Sequence, residues 1–439
     1  MRRIPPSTTP QPVDPATAAA PAPLTPPRPA APAYPGQELL ADEVSAAVVL
    51  AAWSGDRAVV VPAPPGGGKT RLTVMLAALL AHRAGLRVGI AAQTRAQACD
   101  VAARLAALTG CQRDRIGLLW KSTGPRPAAG DCPIIDKMQA VWPASGGAVR
   151  IATTAKWLMA EPSEYGADLL IVDEAFQCTY GDLGALGAMA GQILCVGDAG
   201  QIEPVVTGSV ARWQDSPTGP HLPGPIALTA AHRDLVTTVP LRHTWRLGPI
   251  TAALVSDSFY PELPFTSRRP AEHIEASGQV LPELSHRVIT AADGPTAPSV
   301  TTAVIDRVHQ LLSGTTLVTA QGSRPVTGSD VAVVVPHVSQ AAAIRATLAG
   351  HADVLVGTAN ALQGMERAAV VAVHPMVGKR IPGQFDLDAG RLCVMLSRHR
   401  DHLTVLVDEQ SDRTFQLHAS PETAAAASIL EQITHTPAI

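Results

Sequence analysis

Planar and charged side chains are scarce in this sequence. Aromatic residues make up 3% of its 439 residues and charged residues 16%, with a formal net charge of −3. Because rings are few, stacking on many planar ligands is not expected to dominate any binding surface. Because positive charge is not in excess, no global field attracts the chain to nucleic acid or to an anionic membrane. Any contact with a polyanion must therefore be local.

Cysteine patterns and long apolar runs are also lacking. The six cysteines form no CxxC pair and no histidine-interleaved spacing, so we expect buried, reduced thiols rather than a zinc site. The longest apolar runs, such as residues 74–81, fall far short of the ~20 residues of a membrane span. Arg2 and Arg3 precede prolines rather than the apolar segment of a secretory signal. We therefore expect a soluble protein of the cytoplasm, with no membrane partner.

What the sequence does contain is an alternation of short apolar runs with helical patterns. The apolar runs lie at residues 58–61, 86–92, 167–172, 193–196, 330–335, 353–356 and 370–373. Strands separated by helices predict parallel sheets, and the chain is long enough for two α/β domains. Residues 214–226 and 261–300 are rich in Pro, Gly and Ser, which indicates a loop and an interdomain or surface segment. Residues 1–36 are mostly Pro, Ala and Thr, which predicts a disordered tail.

A glycine-rich motif, APPGGGKT at residues 63–70, stands between an apolar run and a helical pattern. Glycines allow backbone N–H groups to surround a phosphate, and the helix N-terminus adds its dipole. Lys69 would reach the outer phosphates and Thr70 would hold magnesium. The alternative is a glycine-rich turn that happens to precede a lysine. The strand–loop–helix context favours a phosphate-binding loop formed by Pro65, Gly66, Gly67, Gly68, Lys69, Thr70 and Arg71.

An acidic pair follows the apolar run at residues 167–172. Carboxylates at the carboxyl end of a parallel strand face the crevice where ligands of open α/β sheets bind. Asp173 would hold magnesium, and Glu174 would orient or deprotonate the attacking water. The alternative is an acidic helix N-terminus, which is electrostatically favourable by itself. With a phosphate loop upstream, the catalytic interpretation is preferred.

The acidic pair begins the sequence DEAFQ, a form of the motif that resembles the superfamily 1 helicases. The next apolar run ends in VGDAGQIEP, which resembles the third motif of that family. The match implies that Gln201 senses the γ-phosphate. The sequence LRHTWR, with FY further on, is similar to the fourth motif. This implies that Trp245 stacks near the adenine and that Arg246 contacts phosphate from a second domain.

The distal half resembles the remaining motifs of the family. The run VGTANALQGME is similar to the fifth motif, which implies that Gln363, Gly364 and Glu366 line the nucleotide cleft. The run RLCVMLSR is similar to the sixth motif and makes Arg398 the candidate arginine finger. An arginine from a second domain stabilises charge on the transferred phosphoryl group only when the cleft closes. Hydrolysis would thus be coupled to domain movement.

The resemblance extends over residues 38–410 and implies two tandem RecA-like P-loop domains with parallel sheets. We assign residues 37–235 to the first, ATP-binding domain, 236–410 to the second, and 411–439 to a C-terminal tail or helix. The approach to the sixth motif is similar to the nonsense-mediated-decay-type branch, which implies movement from 5′ to 3′. The sequence departs from the family in lacking a clear match to the adenine-reading glutamine. Its insertions are short, with residues 105–148 as the main candidate.

The family grips single-stranded nucleic acid with segments that follow strands in both domains. Hydroxyl and basic side chains suit phosphate oxygens, which position a strand without reading its sequence. The resemblance places these contacts at Gln93, Thr94, Arg95, Thr153, Thr154, Lys156, Pro336, His337 and Thr358. Trp120 and Trp157 lie near two of these segments, and we predict that both belong to the core. A protein partner would bind through the tail or through residues 261–300.

The resulting interpretation is an ATP-dependent helicase or translocase that uses Mg-ATP to move along single-stranded DNA or RNA. One alternative is a P-loop ATPase that remodels a protein partner, which predicts hydrolysis that no polynucleotide stimulates. Another is a scaffold without catalysis, which would normally have lost Lys69, Glu174 or Arg398, whereas all three are present. The motifs do not distinguish DNA from RNA.

Overall fold

Eight parallel strands form a sheet in the first half of the chain. The computed structural model describes residues 34–120, 127–135 and 142–439, so most of the tail predicted at residues 1–36 lies outside the described residues. The strands are β1 (Ala58–Pro62), β2 (Arg87–Ala92), β3 (Ile116–Leu119), β4 (Ile134–Ile135), β5 (Ala148–Thr153), β6 (Ala167–Asp173), β7 (Ala190–Gly197) and β8 (Val236–Thr238). Their order across the sheet is β4-β3-β5-β2-β6-β7-β1-β8. The four apolar runs predicted in this half are strands of this sheet.

The order of the strands brings three loops together. The central strands are apolar along their length and buried on both faces, as in β6 with the sequence ADLLIVD. β7 pairs in parallel with both β6 and β1. The loops that leave β1, β6 and β7 therefore meet at one edge of the sheet. These loops carry the glycine-rich motif, the acidic pair and the GDAGQ sequence.

Helices cover both faces of the first sheet. They are α1 (Glu43–Ser54), α2 (Lys69–Leu79), α3 (Arg95–Ala106), α4 (Thr154–Trp157), α5 (Pro162–Tyr165), α6 (Tyr180–Gly187) and α7 (Gly224–Ala231). α2 continues as a short π-helix, Leu80–Ala84, and the two together form the helix predicted after the glycine-rich motif. Trp157 is fully buried in one of the two cores, as predicted, and its Nε1 donates to the Ile90 carbonyl at 2.9 Å. Trp120 is half-buried at the edge of the other core.

A second parallel sheet and two small sheets occupy the second half. Their strands are β9 (His243–Thr244), β10 (Thr266–Ser267), β11 (His273–Ala276), β12 (Gln279–Val280), β13 (Leu284–Ile289), β14 (Thr315–Thr319), β15 (Gly322–Pro325), β16 (Val331–Val335), β17 (Leu355–Thr358), β18 (Arg367–Val373) and β19 (His399–Asp408). The parallel sheet has the order β13-β19-β18-β16-β17. The small sheets have the orders β10-β9 and β12-β11-β14-β15. The architecture is therefore α/β with two parallel sheets, as predicted.

The helices of the second half are α8 (Pro249–Phe259), α9 (Pro298–Leu312), α10 (Val338–Thr347), α11 (Ala389–Leu396), α12 (Ser411–Leu417) and α13 (Pro421–Thr434). Ile429, Leu430 and Ile433 of α13 are buried in the same core as the strands β13 and β19. Residues 411–439 thus contribute two helices, of which α13 packs on the second sheet. None of the helices in the described part of the chain has the length and hydropathy of a membrane span.

Two expectations from composition are corrected by the structure. Residues 261–300 are not only a surface segment, because β13 lies within them and pairs in parallel with β19. Its sequence LSHRVI does not predict a buried strand, because Ser285 and His286 are polar although both are buried. Residues 105–148 do not form only an insertion, because β3 and β4 add two strands to the edge of the first sheet.

Candidate nucleotide site and interdomain cleft

The loop between β1 and α2 turns through two glycines with positive φ angles. Gly66 has a φ of 70° and Gly68 a φ of 84°, a region that side chains with a Cβ rarely adopt. Gly68 is the N-cap of α2, so the free N–H groups and the dipole of this helix face the loop. A Cβ on Gly66 would lie 2.3 Å from the Cβ of Arg246, so glycine also permits close contact with the second half of the chain.

Lys69 lies in the first turn of α2 and is only 9% exposed. Its ammonium is 3.3 Å from a carboxylate oxygen of Asp198 and 4.0 Å from one of Glu174. A buried cation is stable when it is paired, so these carboxylates keep a charged lysine beside the loop. An anionic phosphate in the loop would compete with them for the same ammonium.

Asp173 and Glu174 follow one another at the end of β6 but differ in surroundings. Asp173 is buried, and Thr73 Oγ1 lies 3.5 Å from its carboxylate. Burial and the adjacent Glu174 raise the pKa of Asp173 to about 7. Glu174 is partly exposed and has a φ of 51°, in the left-handed region that costs a non-glycine residue roughly 1–2 kcal/mol. Strain of this kind is concentrated at functional sites.

The GDAGQ loop places Asp198 between Lys69 and Gln201. Gln201 is buried, and its Nε2 donates to Asp198 Oδ2 at 2.7 Å. The Gly200 N–H donates to the other oxygen, Oδ1, at 3.2 Å. Asp198 was not among the predicted site residues. An acidic residue at the end of a buried strand next to β6 is the signal that identifies it.

The segment that contains Trp245 and Arg246 forms the opposite wall. Thr244 Oγ1 donates to the Pro65 carbonyl at 2.7 Å, and the Trp245 N–H donates to the Gly66 carbonyl at 2.9 Å. The Trp245 side chain is 56% exposed, so its indole is accessible to a ligand beside the loop.

Arg246 connects the segments that resemble the fourth, fifth and sixth motifs in one network of contacts. Its Nε is 2.5 Å from Glu366 Oε2, and its Nη1 donates to the Ser397 carbonyl at 3.0 Å. Burial raises the pKa of Glu366, but the Arg246 guanidinium outweighs it and the net shift is downward. Glu366 is therefore an ionised partner of Arg246.

Arg398, the predicted arginine finger, is held inside its own domain. It is 1% exposed, and it donates to the Val394 carbonyl at 3.1 Å and to Ser397 Oγ at 2.9 Å. The Val394 carbonyl lies in the last turn of α11, where it accepts from the Ser397 N–H at 3.2 Å and has a second lone pair for the guanidinium. Burial lowers the pKa of Arg398 to about 10. In this arrangement Arg246, rather than Arg398, is the arginine that touches the phosphate loop.

The remaining predicted nucleotide ligands lie on both sides of the cleft. Gln363 Nε2 is 3.4 Å from Gln201 Oε1, so the fifth and third motif segments meet. Gly364 is exposed and has a φ of 80°. Thr70 is half-buried and Arg71 exposed in the first turn of α2.

Comparison of the sequence with models of protein families identifies the family of the chain. Two family models match in tandem, each described as an AAA domain, one over residues 39–234 and the other over residues 237–410. This tandem pair is typical of superfamily 1 helicases of the nonsense-mediated-decay type, and it covers both parallel sheets. The chain belongs to the superfamily 1 helicases. Its two α/β domains are accordingly RecA-like P-loop domains.

Solved helicase structures resemble the chain at low identity. Arterivirus nonstructural protein 10, a helicase, is 14% identical over 85% of this chain and 63% of its own, with a TM-score of 0.45. Its complex with DNA is 16% identical over 81% and 62%, with a TM-score of 0.43. The PRRSV helicase is 15% identical over 82% and 54%, with a TM-score of 0.41. The chain therefore spans less than two thirds of each of these proteins. A search of curated proteins finds no significant match.

In this superfamily 1 helicase, the predicted strand contacts of the first domain lie at the carboxyl ends of β2 and β5. Thr94 and Thr153 are the N-caps of α3 and α4. Arg95 is exposed, with its guanidinium 5.7 Å from the centre of the Trp120 ring. Lys156 is half-buried in the short helix α4. The two basic side chains thus lie on the same edge of the sheet as the phosphate loop.

Gln93 connects this edge to the nucleotide site. Its Nε2 donates to the backbone carbonyl of Asp173 at 3.1 Å, and its Oε1 accepts from Thr154 Oγ1 at 3.3 Å. Thr154 is buried. Its hydroxyl therefore orients Gln93 inside the protein and does not face a surface on which a strand would lie.

The predicted contacts of the second domain share the carboxyl edge of its sheet. β16 and β17 pair with Val335 opposite Thr358, so residues 336–337 and Thr358 are neighbours. Pro336 is buried, whereas His337 and Thr358 are half-buried. Only the latter two therefore present side chains to solvent at this edge.

His337 stacks on a ring that the sequence did not single out. Its imidazole is parallel to the ring of Phe385, with 5.2 Å between centroids and 15° between planes. The Arg391 guanidinium lies 3.6 Å from the centre of the Phe385 ring. Burial and the nearby Lys379 lower the pKa of His337. In the sequence, Phe385 begins the run that leads to the sixth motif and resembles the family, but no role was predicted for its ring.

Proposed function

We propose that this chain is an ATP-driven motor that moves along single-stranded nucleic acid in the 5′ to 3′ direction. The observation that carries the proposal is the meeting of both domains at the phosphate loop. Arg246 lies against Gly66, and Gln363 lies against Gln201. A nucleotide in this loop would contact both domains, so its hydrolysis would change how they pack.

The residues of the cleft suit phosphoryl transfer to water. Lys69 would leave Asp198 for the outer phosphates, and Glu174 would accept a proton as the water oxygen attacks the γ-phosphorus and the bond to ADP breaks. Arg246 would stabilise the charge that develops on the transferred group. Arg398 would join it only after release from the Val394 and Ser397 acceptors, which requires movement at the end of α11.

The donor set at the end of β6 fits Mg²⁺. Asp173 is a buried carboxylate whose pKa is raised to about 7 by burial and by Glu174, so a nearby divalent cation would stabilise its ionised form. Asp173 and Thr70 would hold the ion, which would supply positive charge to the phosphate oxygens. Both residues lie at the edge where β1 and β6 end.

The edge beyond the nucleotide site suits a single strand. Thr94, Arg95 and Lys156 of the first domain offer hydroxyl and basic groups to phosphate oxygens. His337, stacked on Phe385, offers a ring in the second domain for a base. Gln93 donates to the backbone carbonyl of Asp173 and so connects this edge to the residue whose carboxylate would hold the metal.

Steady-state ATP hydrolysis, measured with and without single-stranded DNA and RNA, tests this function. The variant Lys69→Ala serves as the blank, because it removes the phosphate contact. We expect hydrolysis that depends on Lys69 and that one or both polymers stimulate at least tenfold. Hydrolysis that depends on Lys69 but responds to neither polymer would overturn the proposal in favour of an ATPase that remodels a protein partner.

A further inference from the structure

Tyr260 is buried at the junction of three segments of the cleft. It follows α8 directly and is 3% exposed. Its hydroxyl donates to the Asp198 carboxylate and lies 3.6 Å from the Cys393 Sγ on α11. Gly200 packs on the tyrosine ring so closely that a Cβ there would lie 2.4 Å from the ring Cζ. Tyr260 therefore contacts the GDAGQ loop from the side of the second domain.

Asp198 is the acceptor on which these contacts converge. Besides Tyr260, it accepts from Gln201 Nε2 at 2.7 Å, from the Gly200 N–H at 3.2 Å and from the Lys69 ammonium at 3.3 Å. A carboxylate has about four lone-pair sites, so these four donors satisfy it. Burial raises the pKa of Tyr260 well above its ordinary value, so the phenol remains protonated and can donate.

Binding of a phosphate would change one of the four contacts of Asp198. Lys69 would turn from Asp198 to the phosphate oxygens, and the carboxylate would lose its cationic partner. The neutral donors, Gln201 and Tyr260, would then have to stabilise the remaining negative charge. Hydrogen bonds to a charged acceptor strengthen as competing partners leave, so the Tyr260 contact would tighten in the ATP-bound state.

Tyr260 is placed to pass such a change to both arginines of the second domain. α8 begins three residues after Arg246 and ends next to Tyr260. α11, which carries Cys393, ends at Leu396, two residues before Arg398. A shift of the tyrosine ring would therefore displace α8, which follows Arg246, and α11, which precedes Arg398.

We propose that Tyr260 is a positioning residue that ties Asp198 to the second domain, so that the transfer of Lys69 from Asp198 to a phosphate is transmitted to α8 and α11. This inference rests on the proposed ATP hydrolysis. It assigns to Tyr260 no contact with nucleotide or with nucleic acid.

The test is Tyr260→Phe, which keeps the ring and removes only the hydroxyl. The matched control is Tyr165→Phe, because Tyr165 is equally buried and its hydroxyl has no hydrogen-bond partner within the described residues. We expect Tyr260→Phe to lower the polymer-stimulated kcat about tenfold, with the KM for ATP within twofold and the unfolding midpoint close to that of the control. The control should retain the kcat of the unaltered chain.

A double-mutant cycle separates positioning from general damage. In an Asp198→Ala background, which lacks the acceptor, Tyr260→Phe should change kcat by less than twofold. Equal kcat for Tyr260→Phe and Tyr165→Phe, or additive effects of Tyr260→Phe and Asp198→Ala, would overturn the inference while leaving the proposed function intact. Absence of Lys69-dependent hydrolysis in the unaltered chain would overturn both.

Discussion

The left-handed backbone of Glu174 places two carboxylates side by side with different properties. Asp173 remains buried with a raised pKa, while the sharp turn carries the Glu174 side chain to within 4.0 Å of Lys69. A non-glycine residue in this left-handed conformation lowers the stability of the fold. Its presence here indicates selection for function rather than for stability. The division of roles between the two carboxylates follows from this turn.

Glu174→Gln tests the role of the second carboxylate. The substitution preserves shape and removes the proton acceptor, so we expect kcat for ATP hydrolysis to fall about 10²–10⁴-fold with ATP affinity nearly unchanged. ATP binding by calorimetry and single-turnover hydrolysis measure the two effects. The exposed Glu203→Gln is the matched control. Unimpaired turnover of Glu174→Gln would remove Glu174 from this role.

The lack of a side chain at Gly66 allows the two domains to come into close contact. An alanine there would combine a positive φ with a Cβ 2.3 Å from that of Arg246. Gly55→Ala is the control, since Gly55 has a φ of 86° but nothing within 4 Å of the added Cβ. We expect Gly55→Ala to cost about 1–2 kcal/mol of unfolding free energy, and Gly66→Ala about 1–3 kcal/mol more. Equal losses in chemical denaturation would show that this contact is not tight in solution.

At the scale of elements, β19 is the strand that was hardest to predict from its amino-acid composition. Its first residues, His399, Arg400, Asp401 and His402, are polar and predict no buried strand, yet three of the four are buried. Each of these three buried side chains has at least one partner distant in sequence, such as Thr251 Oγ1, 3.1 Å from His399 Nε2. The apolar runs of β1, β6, β16 and β18 were readable because they are continuous. A polar strand depends on distant partners that no local pattern contains.

The His402 ring gives β19 a pH-dependent contribution to stability. Its Nδ1 donates to the Pro282 carbonyl at 2.6 Å, and its Nε2 accepts from Arg307 Nη2 at 2.8 Å. Burial and the Arg307 charge lower the pKa of His402 to about 4, below the ordinary value of 6.5. The folded state thus binds fewer protons than the unfolded state between these values. The contribution is complete above pH 6.5 and is lost as pH falls from 6.5 through about 4.

We therefore expect the unfolding free energy to rise with pH across this window, with His402 contributing up to about 1.4 kcal/mol per pH unit. His402→Gln keeps an acceptor for Arg307 but cannot titrate, so it should reduce the slope by up to that amount. Denaturant unfolding from pH 4.5 to 7.5 measures it, with the exposed His232→Gln as control. Identical slopes for the two variants would contradict the account.

At the scale of the molecule, the order of motifs along the chain predicted two parallel-sheet domains, and the site residues converge where the strands β1, β6 and β7 end. The resemblance implied a phosphate contact for Arg246 and the finger role for Arg398, but it did not indicate that Arg398 is held by Val394 and Ser397 in its own domain. Arg246 and Arg398 have the same chemistry, and their positions depend on packing at the end of α11. No site role was predicted for Phe385, Asp198 or Tyr260 for a similar reason, because their roles depend on neighbours distant in sequence.

The central claim is that hydrolysis drives movement along a strand, and displacement of streptavidin from biotinylated single strands tests it most directly. Single-stranded DNA and RNA carry biotin at one end, and free streptavidin is trapped after release. We predict ATP-dependent release from the 3′ end and little from the 5′ end, with Lys69→Ala inactive on both. Polymer-stimulated ATP hydrolysis without release from either end would contradict the claim that this chain is a motor.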